Sequence, residues 1–268
     1  MKTLVSHVQQ HARIFCRRPV AVALVLLGLT AGIGAGFGVF NRVWTGVHVA
    51  RAGASPGLLM VSERQPNGAN SPLIFSPGDF DELRRGNVSF AEVAAYDQKY
   101  AMLQGSQGSK SLLTTSVSSR FFALLDIQPE LGRAFGNEEN QFAGESVVIL
   151  SQRLWKELFA AEPQLAGQIV TLDKKHFRVV GVMPEGFQFP DQTDLWVPLQ
   201  LGPLEKSNRT SYYLNVLARL KPSVTLRQAQ AELRRFMQRP LPLTALHFVS
   251  NVLLDPVYDH LKGNLQTL

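Results

Sequence analysis

Four histidines follow residue 42, at His48, His176, His247 and His260, and none stands in HxxxH or HExxH spacing. A zinc site needs three or four imidazole, thiolate or carboxylate ligands converging on one ion, and no cysteine lies near these positions. His176 follows Lys174 and Lys175 at the start of a predicted strand, where an imidazole reads as an exposed loop residue. No serine is framed by GxSxG, so no nucleophile elbow is visible. Glu138-Glu139 and the Asp79/Asp81/Glu82 cluster could in principle divide acid and base work. Short acidic clusters of this kind are ordinarily solvated helix starts or loops, and that is the expectation here.

Two glycine-rich stretches resemble phosphate cradles and fail on detail. Gly105-Ser106-Gln107-Gly108-Ser109-Lys110-Ser111 has Ser109 where a phosphate loop needs glycine before the lysine, and a strand follows where a helix should. It reads as a hairpin turn. Gly32-Ile33-Gly34-Ala35-Gly36-Phe37-Gly38 does not complete GxGxxG and lies in an apolar run rather than after a strand. Asn87-Val88-Ser89 and Asn208-Arg209-Thr210 match the glycosylation pattern, a weak signal without a source. The expectation is therefore a protein that is not an enzyme, with no catalytic, cofactor-binding or metal-binding residues.

The element that sets the class of the protein is the run 19–40, twenty-two residues without a charge. As a helix it is roughly 33 Å long, enough for a hydrocarbon core of ~30 Å. A secretory signal has a shorter apolar core, and Arg42, Trp44 and Arg51 separate the run from the small residues Ala52-Gly53-Ala54. A buried helix of a soluble domain this long would keep a polar face. A transmembrane helix over 19–42 is the expectation. Gly28, Gly32, Gly34, Gly36 and Gly38 form three overlapping small-xxx-small pairs, a packing face for other helices. Arg13, Arg17 and Arg18 set the topology, placing the N-terminus in the cytoplasm and everything after residue 42 outside. Leu4, Val8, Ala12 and Phe15 recur at helical spacing, so 1–18 reads as a basic amphipathic segment on the inner surface of the lipid bilayer.

The charge balance agrees. The chain is +6, yet residues 1–62 hold six Lys/Arg and no acid, leaving 21 basic and 21 acidic groups beyond them. The basic excess is a topology signal, and no nucleic acid partner is expected. Cys16 is the sole cysteine and falls on the inner side, so the outer domain has no disulfide framework and relies on an apolar core.

The outer part, 45–256, reads as α+β with short connections. Strands are predicted at 58–62, 100–104, 111–117, 147–150, 168–172, 177–182, 195–199, 212–220 and about 246–254. Ser76 and Pro77 open a helix through about Arg85, and Ser89 to Glu92 resembles a capping box starting a second helix toward Tyr96. Ser118 or Ser119 caps a helix holding Phe121, Phe122, Leu124 and Leu125. Ser151 caps 152–159, and Thr225 with Gln228 opens a helix burying Leu226, Ala229, Leu233 and Phe236 or Met237. Disorder is expected at 63–72, where polar and turn residues dominate. The last stretch, 257–268, reads as the first turns of a helix.

Several blocks then share one likeness: RFFALLDIQPELGRAF from Arg120, VVILSQRLWKELF from Val147, FRVVGVMPEGFQFP from Phe177, DLWVPL from Asp194 and YLNVLARLKPSVTLRQAQAEL from Tyr213. Together they resemble the MacB-type periplasmic core domain of bacterial ABC transporter permeases, in particular stand-alone permeases with a duplicated membrane-and-periplasm layout. GIGA from Gly32, followed by Val39-Phe40, resembles that family's first transmembrane helix, with Gly36 where a polar Asn is expected. The resemblance covers about residues 10–268. It implies one N-terminal transmembrane helix followed by a two-lobed α+β periplasmic domain in the bacterial inner membrane. It also implies further permease helices or subunits as partners, a cytoplasmic ABC ATPase in trans, a periplasmic adaptor and a homodimer. Because the chain stops about where a second helix should begin, it reads as a fragment, a truncated gene product or a degenerate copy. The expected function is a permease-type subunit whose outer domain couples to a periplasmic partner or substrate for export or envelope remodelling. The alternative is a membrane-tethered periplasmic binding or sensing module without transport.

Overall fold

The computed structural model describes residues 57–64, 70–105, 108–160, 162, 164, 168–190, 192–238 and 252–256. The predicted span with Gly28, Gly32, Gly34, Gly36 and Gly38, the segment carrying Arg13, Arg17 and Arg18, the stretch 257–268, and His48, His247 and His260 lie outside the described residues. No helix among the described residues is long and apolar enough to cross a membrane.

In chain order the elements are β1 (Leu58–Arg64), β2 (Asn70–Pro72), β3 (Ile74–Phe75), α1 (Pro77–Gly86), β4 (Phe90–Gly105), β5 (Gly108–Val117), α2 (Phe121–Leu124), β6 (Leu131–Gly132), β7 (Val147–Leu150) and α3 (Gln152–Phe159). There follow β8 (Ile169–Leu172), β9 (Lys175–Val182), β10 (Leu195–Pro198), α4 (Pro203–Ser207), β11 (Leu214–Leu220), α5 (Leu226–Met237) and β12 (Val252–Pro256). One sheet path runs β12-β1-β11-β4-β5-β10-β7-β9-β6, with β2 on β1, β3 on β11 and β8 joining β4 to β9. The β5/β10 and β7/β9 pairs are parallel and the others antiparallel, so the sheet is mixed.

Local chemistry sets most boundaries. Ser76 Oγ accepts the Asp79 N–H at 3.1 Å and donates to its carboxylate at 2.6 Å, with Pro77 in the first helical turn. Ser151 Oγ accepts the Leu154 N–H, and Thr225 and Gln228 close a reciprocal box on α5. Asp173 and Lys174 adopt φ of 47° and 67°, the paired left-handed conformation of a tight hairpin between β8 and β9.

Three apolar clusters hold the sheet. Tyr96, Phe121, Phe122, Phe187, Phe189 and Trp196 form an aromatic one. Phe75, Phe80, Leu83, Val93, Ala95, Ala229 and Leu233 form a second, beneath α1 and α5. Leu103, Leu150, Leu154, Trp155, Val170 and Leu172 form a third, around α3.

Three expectations are corrected. Residues 89–96 are not a helix but the start of β4, because Val93, Ala94, Ala95 and Tyr96 are all buried. Val93 and Ala95 enter the helix-covered cluster while Ala94 and Tyr96 enter the aromatic one, a period of two with both faces covered. The Ser89 N–H that a capping box would use is taken by the Glu232 carboxylate at 2.8 Å. Within 63–72, Glu63 and Arg64 pair with Ser71 and Asn70 in the β1–β2 ladder, while 65–69 lie outside the described residues. Ser118 does not cap α2 with its side chain: its Oγ accepts the Ala95 N–H at 3.0 Å, and the cap position is Arg120 without a side-chain bond. Of the last predicted strand, about 246–254, residues 246–251 lie outside the described residues, and the described part is Val252–Pro256.

Candidate functional site

The carboxylates singled out in the sequence are each engaged by a basic side chain or exposed. Glu139 receives Arg133 at 2.6 and 3.0 Å and the Gly136 N–H at 2.7 Å, and the Arg133 hydrogen bond holds its carboxyl below the usual range. Glu138 is exposed on the rim of the same loop. Arg209 clamps Asp79 at 2.7 Å and Glu82 at 2.8 Å, and Arg84 and Arg85 both reach Asp81. These pairs fix α1 and its neighbours; they do not converge on a common point. His176 bonds Thr171 Oγ1 at 2.9 Å on the exposed β8–β9 hairpin, and Gly105 stands opposite Gly108 across the β4–β5 turn. Among the described residues no group of three or more His, Cys, Asp or Glu gathers as a metal site.

The loop from Arg133 to Ser146 is strapped down. Gln200 Nε2 donates to the carbonyls of Glu139, Gly144 and Glu145 at 2.8, 3.0 and 3.3 Å. Arg178 holds Glu145 bidentately at 2.7 and 2.6 Å. At the loop's entry Gly132 has φ of +75°, and a Cβ there would stand 2.1 Å from the Val180 carbonyl, so only glycine lets β6 dock on β9. Phe142 rests against Gly202 yet remains mostly exposed.

The feature that sequence reasoning missed lies on β4. Its odd-numbered face runs Val93, Ala95, Asp97, Lys99, Ala101, Leu103. The first two residues belong to the cluster under α1 and α5, and Leu103 to the cluster around α3. Asp97 and Lys99 interrupt that face between the two clusters. They line a cleft of about 230 Å³ together with Lys175 and Phe177 of β9, Glu205 of α4 and Tyr213. Burial raises the Asp97 carboxyl, opposed by the neighbouring Lys99. Burial also raises the Tyr213 phenol, reinforced by the charges of Glu205 and Asp97. Among the described residues the buried carboxylates Asp79, Asp81, Glu139 and Asp194 each have an arginine. Among the described residues Asp97 is in no ion pair, and the cleft can therefore offer its charge to a ligand. The signal was present as an Asp-x-Lys break in an apolar alternation, but reading 89–96 as a helix hid it.

A second exposed feature lies on β4 before the β4–β5 turn. Tyr100 and Met102 project from the even face of β4 near the hairpin tip, 74% and 42% exposed. Leu113 stands directly opposite Tyr100.

Residues 22–236 match the family described as the MacB-like periplasmic core domain. No curated protein matches the chain. Among solved structures, the periplasmic region of MacB from Actinobacillus actinomycetemcomitans superposes with a TM-score of 0.55 at 16% identity, covering 81% of this chain and 95% of that one. The extracellular domain of the noncanonic ABC-type transporter YknZ from Gram-positive bacteria gives 0.52 at 18% identity, covering 66% and 91%. At these identities the likeness is one of fold.

Proposed function

Because the chain belongs to the family of the MacB-like periplasmic core domain, we propose that it is a permease-type membrane subunit working with an ABC ATPase. Its α+β domain lies outside the cytoplasmic membrane and is anchored by a helix over 19–42. The observation that carries this reading is where the family match begins. Residue 22 lies inside the uncharged run 19–40, so one continuous match joins that run to the folded domain. Arg13, Arg17 and Arg18 orient the anchor with the N-terminus in the cytoplasm. The face bearing Gly28, Gly32, Gly34, Gly36 and Gly38 packs on further permease helices or on a second copy. The outer domain transmits movement between a cytoplasmic ABC ATPase and a periplasmic adaptor or substrate, with the Tyr100/Met102 tip as the docking surface. The sheet path and the strapped 133–146 loop support a transmitting role, since a body held by parallel and antiparallel ladders moves as a unit.

Reporter fusions after Thr45 and Gly263 test the topology. Both are expected to signal from the outer compartment, and a cytoplasmic signal from either overturns the orientation. Co-purification from the native host tests the coupling. Recovery of an ABC ATPase is expected with the intact chain and lost when bulky residues replace Gly32 and Gly36. Recovery unaffected by that replacement overturns the role given to the glycine face.

A further inference from the structure

We propose that the β4 cleft is a binding site for a small zwitterion of α-amino acid size, carrying one ammonium and one carboxylate. Asp97 is half-buried on a strand face that is apolar before and after it, while Lys99 beside it reaches solvent. Leaving a half-buried carboxylate there costs solvation, which the neighbouring Lys99 offsets only in part, since the carboxyl is still raised. Asp97, Glu205 and Tyr213 line the cleft together, with one Glu205 oxygen accepting the Gly202 N–H at 2.8 Å and the other left for the cleft. Their oxygens make an acceptor-rich corner suited to an ammonium group. Lys99 and Lys175 line the same cleft and are exposed, with Lys175 Nζ 5.4 Å from the centre of the Phe177 ring. Two ammonium groups there suit a carboxylate, and the Phe177 ring supplies an apolar wall for a side chain.

Charge selects the class. A simple cation would meet two lysines, and a simple anion would meet two carboxylates. A zwitterion satisfies both sets at once. Size agrees: at about 230 Å³ the cleft falls below the ~300–1,000 Å³ of drug-sized pockets and admits a ligand of amino-acid dimensions.

The test uses the full chain in lipid nanodiscs and calorimetric titration. The probes are L-leucine, glycine and two single-charge analogues of leucine, 3-methylbutylamine and 4-methylpentanoate. Leucine is expected to bind saturably, with each analogue weaker by about tenfold or more, the factor that one lost charge-assisted hydrogen bond brings. Asp97→Asn should weaken leucine by a similar factor without lowering the unfolding temperature. Lys175→Gln should weaken leucine and leave 3-methylbutylamine unchanged. Saturable binding of neither amino acid overturns the proposal. So does binding of the amine as tight as that of leucine, or leucine binding indifferent to Asp97→Asn.

Discussion

Trp196→Phe examines the packing that lets β10 bridge the two ends of the sheet. Trp196 is fully buried, and its Nε1–H donates to the Phe189 carbonyl at 3.0 Å. Its ring centre lies 5.3 Å from Phe187 and 6.1 Å from Phe122. Phenylalanine cannot donate, so the buried carbonyl loses its partner at a cost of about 1–3 kcal/mol. The smaller ring also leaves a void of roughly 35 Å³, worth about 1 kcal/mol at ~24 cal/mol per Å³. The sum is about 2–4 kcal/mol, a large part of the ~5–15 kcal/mol that stabilises a typical domain. Denaturant unfolding of the full chain in detergent, followed by far-ultraviolet circular dichroism, measures the loss. Tyr100→Ala, on the exposed face of β4, is the control and should change stability little. A Trp196→Phe loss below about 0.5 kcal/mol, the scale of an ordinary surface change, would refute the reasoning.

Other consequences follow from single groups. Arg209→Ala strips Asp79 and Glu82 of their shared partner and should cost about 3 kcal/mol through the buried Asp79 carboxylate, visible as a lowered denaturation midpoint. Glu139 and Glu145 have carboxyls held below the ordinary range by Arg133 and Arg178, so their stabilisation is present above that range and lost as pH falls through their lowered values. Asp97, raised by burial, has the opposite sign: its penalty sets in as pH rises from the ordinary aspartate range through its raised value. Melting temperatures measured against pH should accordingly fall on acidification, less steeply in Glu139→Gln and more steeply in Asp97→Asn. Gly132→Ala forces a Cβ onto the Val180 carbonyl at a left-handed φ, and should destabilise by more than about 1 kcal/mol in the same denaturation assay.

What could be read from the sequence was what is decided within a few residues. The Ser76, Ser151 and Thr225/Gln228 caps depend on partners three positions away, and each stands in the structure where the pattern put it. The β8–β9 and β4–β5 hairpins were equally local, closed at Asp173-Lys174 and between Gly105 and Gly108. The start of β4 was misread because Ser89 and Glu92 mimic a cap, while burial of four successive residues is decided by layers from distant segments. Those layers include α5, whose Glu232 takes the Val88 and Ser89 N–H groups from 144 and 143 positions away. The same separation concealed the roles of the acidic clusters: nothing near Asp79 announces Arg209, 130 positions on. The cleft needed β4, β9 and α4 together, so only the interruption at Asp97 and Lys99 was written locally.

In the proposed topology this domain stands outside a membrane which the N-terminal segment enters from the cytoplasm. Cys16, the sole cysteine, lies on the proposed inner side, and Leu204 is 86% exposed on the folded domain. Labelling with a membrane-impermeant maleimide compares them directly in spheroplasts, using the native chain and a Leu204→Cys variant in a Cys16→Ala background. Leu204→Cys is expected to be labelled in intact spheroplasts, and Cys16 only after lysis. Protection of Leu204→Cys before lysis, with labelling of Cys16, would contradict that topology.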